Sequence, residues 1–336
     1  MKISDLGEFG LIEYIRKKTV RKASSVLIGM GDDAAALKVS SSSLLLATTD
    51  MLLEGVHFDL SYTDFYSLGW KSAAVNLSDI AAMGGVPRFC LISLGIPSSV
   101  SVEQVKDFYR GFRTVLRAHG TILVGGDTCS SRKDFVINVV VLGESEKTKI
   151  VTRAGAKPGD RIFVTGTLGD SAAGLDLLGT TAGRKGQESW RKKLIQKHLR
   201  PVPRVAWGRM IAIAKCAHAM IDISDGLSSD LAHLCDESEV GARIIAEDLP
   251  CSPSLRAASD DLGKTPLQYA LSGGEDYELL FTVPPAKKKK LRSFPISATE
   301  IGVITEGRGL LISRGGKVKQ FRPTGYAHFK KSRPVK

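Results

Sequence analysis

Residues 44–50, Leu44-Leu45-Leu46-Ala47-Thr48-Thr49-Asp50, form a short apolar run that ends on two hydroxyls and a carboxylate. Leu44 to Thr48 reads as a buried strand. Downstream, Asp64 is placed to cap a helix running towards Met83, with Trp70, Ala73, Ala74, Leu77, Ile80 and Ala81 on one face. Phe89 to Leu94 reads as a strand, Val102 to Ala118 as a helix, and Thr121 to Val124 and Phe135 to Leu142 as two more strands. The order β-α-β-α-β-β implies a mixed α/β arrangement rather than a simple doubly wound sheet. Upstream, Glu8 to Lys17 has the spacing of an amphipathic helix.

Gly, Pro and Lys cluster between Glu144 and Pro158, and a second α/β unit follows. Its expected strands are Arg161 to Thr165, Ala219 to Ile223, 243–248 and 277–283, with helices over Asp170 to Leu178 and Leu227 to Cys235. A chain of 336 residues suits two domains. The expected division is 1–145, carrying metal, nucleotide and dimer contacts, and 146–336, completing the cleft.

Composition narrows the function classes. No apolar run approaches the roughly 18 residues that span a bilayer, and acids interrupt Met1 to Glu8 where a signal peptide needs an apolar stretch. The five cysteines are scattered without a C-x-x-C pair, which fits reduced thiols in a cytoplasmic protein better than a zinc site. The formal charge of +12 raises nucleic acid as a partner, but the dense runs Lys287 to Lys290 and Lys330-Lys331 lack interleaved aromatics. They read as solvated surface.

The aspartates carry the chemistry. Gly31-Asp32-Asp33, Thr48-Thr49-Asp50, Asn76-Leu77-Ser78-Asp79, Gly125-Gly126-Asp127-Thr128, Asp222-Ile223-Ser224-Asp225-Gly226 and Gly273-Gly274-Glu275-Asp276 all lie where expected elements end or begin. Singly, each is an ordinary turn or cap. Together, carboxylates leaving one sheet edge converge, and two unit charges about 4 Å apart repel by about 4 kcal/mol at an effective dielectric of about 20. Cations must offset this. Oxygen-only ligands select hard ions such as Mg²⁺, which fills its shell with water and substrate phosphates, so the pattern implies phosphoryl transfer. Glycine in Gly-Gly-Asp permits close backbone approach to a phosphate. There is no Walker loop. Gly166-x-x-Gly169-Asp170-Ser171 suits either a phosphate cradle at a helix N-terminus or close packing. Asp222-x-Ser224-Asp225-Gly226 lacks the ligand spacing and distal Glu of a calcium loop. His57, seven residues after Asp50, is placed for a substrate-phosphate contact, whereas His119, His198, His218 and His233 offer no comparable reason for a role.

These motifs resemble the thiamine-monophosphate kinase family of the aminoimidazole-ribonucleotide synthetase superfamily. The resemblance runs from Gly7-Glu8-Phe9 to Gly325-Tyr326-Ala327-His328-Phe329 and includes Ile28-Gly29-Met30-Gly31-Asp32-Asp33, Gly55-x-His57-Phe58, Lys157-Pro158-Gly159-Asp160 and Leu271-Ser272-Gly273-Gly274-Glu275-Asp276-Tyr277-Glu278. It implies a two-domain fold of mixed sheets with flanking helices, a homodimer, and ATP and thiamine monophosphate as substrates. It implies magnesium on Asp33, Thr48, Thr49, Asp50, Asp79, Asp127, Asp222 and Asp225. ATP contacts fall to Gly126, Asp127, Arg153 and Ser224, and acceptor contacts to His57 and Glu275. It further implies direct transfer without a covalent nucleophile, and no Ser or His here sits beside an activating base in sequence. Many members carry a Trp before the Gly-Tyr-x-His-Phe ending. Here the stretch is Phe321-Arg322-Pro323-Thr324, and Phe321 is the expected substitute. A selenide-using relative would show a reactive N-terminal Cys, and none is present.

Overall fold

The computed structural model describes residues 10–15, 24–29, 31–179, 188–326 and 328. Of the helix expected over Glu8 to Lys17, residues 10–15 are helical, and the rest lies outside the described residues, as do Gly7-Glu8-Phe9, Met30, Ala327, Phe329 and Lys330-Lys331.

The first sheet holds β1 (Val26–Ile28), β2 (Ala35–Lys38), β3 (Ser43–Leu53), β4 (Val86–Pro97), β5 (Ile122–Ser131) and β6 (Val136–Glu146), in the order β1-β2-β3-β6-β4-β5. Only the β4–β5 pair is parallel. The second sheet holds β7 (Arg161–Thr165), β8 (Ala219–Asp222), β9 (Gly241–Ile245), β10 (Leu279–Val283), β11 (Ala298–Thr305), β12 (Gly309–Arg314) and β13 (Lys317–Phe321), in the order β13-β12-β9-β11-β7-β10-β8. Mixed sheets with flanking helices are therefore the observed class.

The helix Phe65–Ala82 sits where these two halves meet. Asp64 caps it, accepting from the Ser67 amide at 2.9 Å. Leu68, Ala73, Ala74, Leu77, Ile80 and Ala81 are fully buried, and Ser67, Lys71, Ser72, Asn76 and Ser78 are buried with them. A helix buried all round has neighbours all round. These are β3 and β6, the helices Val102–Ala118 and Val205–Ile213, and β8 from the second half. Each fully buried leucine here contributes about 2 kcal/mol of transfer free energy.

Period-two alternation then builds the second half. On β7, Ile162 and Val164 face one core while Phe163 faces the other; on β10, Leu280 opposes Leu279, Phe281 and Val283. The second sheet is thus buried on both faces, one of them against the core shared with the first half. Among the described residues, no helix is long and apolar enough to cross a membrane.

Strands β3, β5 and β9 differ from expectation. β3 runs on to Leu53, so Thr48-Thr49-Asp50 lies within it. β5 runs through Gly125-Gly126-Asp127 to Ser131, past the expected stop at Val124. A bulge explains this: Leu123 pairs with Cys90 but Gly125 pairs with Leu91, leaving Val124 as the extra residue. A Cβ on Gly126 would stand 1.8 Å from the Ile92 carbonyl oxygen, so strand packing by itself requires glycine there. Residues 246–248 form a 3₁₀ turn rather than continuing β9.

Candidate active site

A cavity of about 1060 Å³ opens between the two halves. Asp33, Thr48, Thr49, Asp50, His57, Asp79, Arg153, Asp222, Ser224, Asp225 and Glu275 all line it.

Three carboxylates arrive from three elements: Asp33 from the loop before β2, Asp79 from the helix Phe65–Ala82, and Asp222 from the end of β8. One oxygen from each lies within 4.8 Å of the others. At that spacing each charged pair repels by about 3–4 kcal/mol for an effective dielectric of about 20. Neutral side chains hold the group in place. Thr48 donates to Asp79, Ser78 donates to Asp222 at 2.6 Å, and Asn76 accepts from the Asp50 amide at 3.1 Å. On β3, Thr48 and Asp50 share a face by alternation. Thr49 faces the other side, where Asn138 donates to its hydroxyl at 3.1 Å.

Burial raises these acids first, and mutual repulsion adds to it. Asp222 is pushed up to about 8 by burial and then by Asp33, and Asp50 to about 6 by the same two causes. Burial followed by repulsion from Asp50, Asp222 and Asp33 lifts Asp79 well above the carboxylate range. Asp33 is also raised, by burial, although Arg153 pulls against it. Arg153 Nη2 lies 2.7 Å from Asp33 Oδ1, while Asp33 Oδ2 is buried without a partner. An all-oxygen donor set with a stranded carboxylate oxygen fits a hard cation.

The part of the wall around His57 and Glu275 is arranged differently. His57 Nδ1 accepts from the Leu53 amide at 3.0 Å. Burial, then the nearby His328, lowers its pKa. A neutral ring accepting at Nδ1 carries its proton on Nε2 and can donate there. The His57 and His328 rings lie 5.0 Å apart, and Tyr326 packs edge-on against His328 at 4.8 Å. Glu275 contacts Lys71 and His198. Burial alone would raise Glu275, but Lys71, His198 and His57 outweigh it and hold the carboxyl below its ordinary value.

Three expectations need correction, those for Asp127, Gly126 and Phe321, and one open alternative is decided. Asp127 pairs with Ser93, Ser93 with Asn138 and Asn138 with Met51, so Asp127 lies three strands from β3. At about 4.8 Å per strand that is about 14 Å, too far to share an ion with Asp79 in the same chain. Gly126 shares that outer strand and is likewise off the cavity wall. Phe321 ends β13 and packs into the second core, so the aromatic wall is formed by Tyr326, His328 and His57 instead. Of the two readings of Gly166–Ser171, close packing is the one observed. Asp276 accepts from the amides of Gly169 and Ser171 at 2.7 and 3.3 Å, taking the helix N-terminus, and a Cβ on Gly169 would meet Tyr269.

The Phe321 correction changes what its substitution does. Phe321→Ala lowers stability by about 1–3 kcal/mol, as partial loss of core contact requires, and leaves the acceptor KM unchanged. Urea unfolding beside steady-state kinetics checks this; a selective rise in acceptor KM would contradict it.

Sequence reading missed Lys71 and His198. Lys71 is 2% exposed inside an apolar helix, which was itself a signal, because a buried ammonium demands a partner. His198 is 3% exposed and on the cavity wall, with its pKa lowered to about 4 by burial and then by Lys71. Nothing local in sequence marks it.

Known proteins share this arrangement. Residues 31–145 match the AIR synthase related protein N-terminal domain, and residues 157–313 match the corresponding C-terminal domain. A solved structure described as "AaThiL complexed with AMPPCP and TMP" aligns with a TM-score of 0.87 at 41% identity, covering 98% of this chain and 99% of that one. Thiamine-monophosphate kinase from Bacillus subtilis (strain 168) is 37% identical, over 97% of this chain and 100% of the relative. Thiamine-monophosphate kinase from Aquifex aeolicus (strain VF5) is 43% identical over 329 residues, 98% of this chain and 100% of the relative. With both halves matched, a carboxylate cluster joining them, and this identity over full length, the chain belongs to the thiamine-monophosphate kinase family.

Proposed function

We propose that the chain transfers the γ-phosphoryl group of ATP directly to thiamine monophosphate, giving thiamine diphosphate and ADP. The carrying observation is the cluster of Asp33, Asp79 and Asp222, drawn from both halves, in a cavity whose wall also presents His57 and Glu275. The related structure with AMPPCP and TMP supports the choice of nucleotide and acceptor.

Asp33, Thr48, Asp50, Asp79, Asp222 and Asp225 are the residues proposed to hold magnesium; Thr49, on the opposite face of β3, is not part of that cluster. Bound magnesium supplies charge neutralisation on phosphate oxygens and brings donor and acceptor into line. The chain's own groups do the rest. Arg153 is fixed on Asp33 at 2.7 Å, and its Nε is buried without an acceptor, a donor available to a nucleotide phosphate. Ser224 lines the same wall. For the acceptor, a carboxylate repels phosphate but attracts a cationic thiazolium ring, so Glu275 suits the ring and the His57 Nε2–H suits the phosphate.

The acceptor phosphate already carries an anionic oxygen and needs no general base. Ser171 Oγ and His198 Nδ1 lie 3.2 Å apart, but the pair is buried and Ser171 is not on the cavity wall. That favours transfer without a phosphoenzyme.

A homodimer belongs to the same reading. β5 is an outer strand that exposes Ile122 and Val124 next to Phe89 on β4, and open apolar edges favour pairing. Gly126 and Asp127 lie on that edge and would act at the interface rather than within one chain's cavity. Cytoplasmic work fits five free cysteines.

The test is direct. With ATP and Mg²⁺, thiamine monophosphate yields thiamine diphosphate and ADP in equal amounts, and free thiamine yields neither. Free thiamine brings an alcohol with no charge for metals to hold and no positioned base to activate it. Thiamine turning over as the better acceptor ends the proposal.

A further inference from the structure

Lys71 stands in the middle of the helix Phe65–Ala82, 2% exposed, with Ser72, Ala73 and Ala74 buried beside it. Its ammonium lies 2.7 Å from Glu275 Oε1 and 2.9 Å from Oε2. Lys71 is not on the cavity wall, whereas Glu275 is.

The loop that carries Glu275 is unusual. Glu275 has φ 64° and Tyr277 has φ 50°, so two non-glycine residues occupy the left-handed region within three positions. Such conformations persist only where surroundings over-determine them, and they cluster at functional sites. The surroundings are explicit. The Glu275 amide donates to the Ser224 carbonyl at 2.7 Å and the Tyr277 amide to that of Ile223 at 2.9 Å. Asp276, between them, accepts from the amides of Gly169 and Ser171. The loop is thereby locked to the end of β8 and to the helix Asp170–Gly179, and its strain turns one carboxylate towards Lys71. On the far side, His198 Nδ1 lies 3.3 Å from Glu275 Oε2.

A buried ammonium used only as glue has no need of a cavity-wall carboxylate as its partner. An apolar residue there would pack the helix without the desolvation cost. We infer that Lys71 is a positioning residue for acceptor binding: from behind the wall it holds the Glu275 carboxylate in place on the cavity side, where the acceptor would meet it. This rests on the proposed acceptor, thiamine monophosphate.

The test compares Lys71→Met, Glu275→Gln and the double variant in the full-length enzyme, measuring kcat and both KM values beside wild type. Lys71→Met raises the acceptor KM about tenfold or more and leaves the ATP KM within about twofold, the signature of a group acting on one substrate. In the double variant both charges are gone, so its acceptor KM equals that of Glu275→Gln alone. Lys71→Met with an unchanged acceptor KM, or with both KM values raised alike, overturns the inference. If Lys71→Met does not fold, the double variant decides, because it leaves no uncompensated buried charge. A KM tenfold above that of Glu275→Gln would show that Lys71 acts otherwise than through Glu275. Wild-type turnover with thiamine monophosphate, read in the same assay, tests the underlying function separately.

Discussion

Asp222→Asn lowers turnover by about a hundredfold or more and raises the melting temperature of the metal-free protein. Both effects have one origin. Loss of a metal ligand removes several kcal/mol of transition-state stabilisation, and each 1.36 kcal/mol is a tenfold change in rate. Without metal, the same carboxylate is a liability. It is buried, faces Asp33, and is pushed up to about 8. The amide keeps the shape and can still accept from Ser78, which donates to Asp222 at 2.6 Å, but it has no charge to repel its neighbours. The gain is therefore largest near pH 9 in chelator, where the native aspartate is forced to ionise. Glu103→Gln is the control, since Glu103 is 79% exposed on the helix Val102–Ala118 and touches only Lys106. Asp176 would be a poor control, because it accepts from both Tyr269 and Lys264 at 2.6 Å. Near-normal turnover in Asp222→Asn, or equal loss in the control, contradicts the site.

Magnesium's stabilisation of the fold grows as pH rises from about 4 to about 9. The direction follows from which state binds protons more tightly. Asp222 titrates at about 8 when folded, against an ordinary 3.8, and Asp33, Asp50 and Asp79 are raised in the same sense. Across that window the folded metal-free protein holds more protons than the unfolded chain, so its stability falls with rising pH. A cation binds the deprotonated cluster and competes with those protons, so its contribution is small near pH 5 and largest above pH 8. Melting curves with magnesium and with EDTA at several pH values check this. An increment that is flat or shrinks with pH counts against the cluster, as does full turnover in EDTA.

The parts of the fold that local sequence determines were legible. The helices Phe65–Ala82 and Val102–Ala118 announce themselves in the sequence, the first through Asp64 as its cap and its apolar face; the Ser101 cap of the second emerges from the structure. β7 and the helix Asp170–Gly179 were equally plain. Gly125-Gly126 misled because glycine ordinarily stops a strand, whereas here a bulge opposite Cys90 and Leu91 absorbs it. β12 and β13 were not read as strands: β13 is short, carries lysines, and depends on β12 for its pairing. At the site, Asp33, Asp50, Asp79 and Asp222 could be named because their pattern is local and repeated. Lys71 and His198 could not, because their partner Glu275 lies 204 residues from Lys71 and on a different element from either. Only the packing of the two halves brings them together.

The central claim is that carboxylates from both halves form one cation site. Titrating Mn²⁺ into wild type and Asp222→Asn, followed by loss of the free-ion electron paramagnetic resonance signal, tests it most directly. Wild type takes up Mn²⁺ and magnesium displaces it, while Asp222→Asn binds about tenfold more weakly or less. Equal Mn²⁺ affinity in the two proteins would contradict the claim.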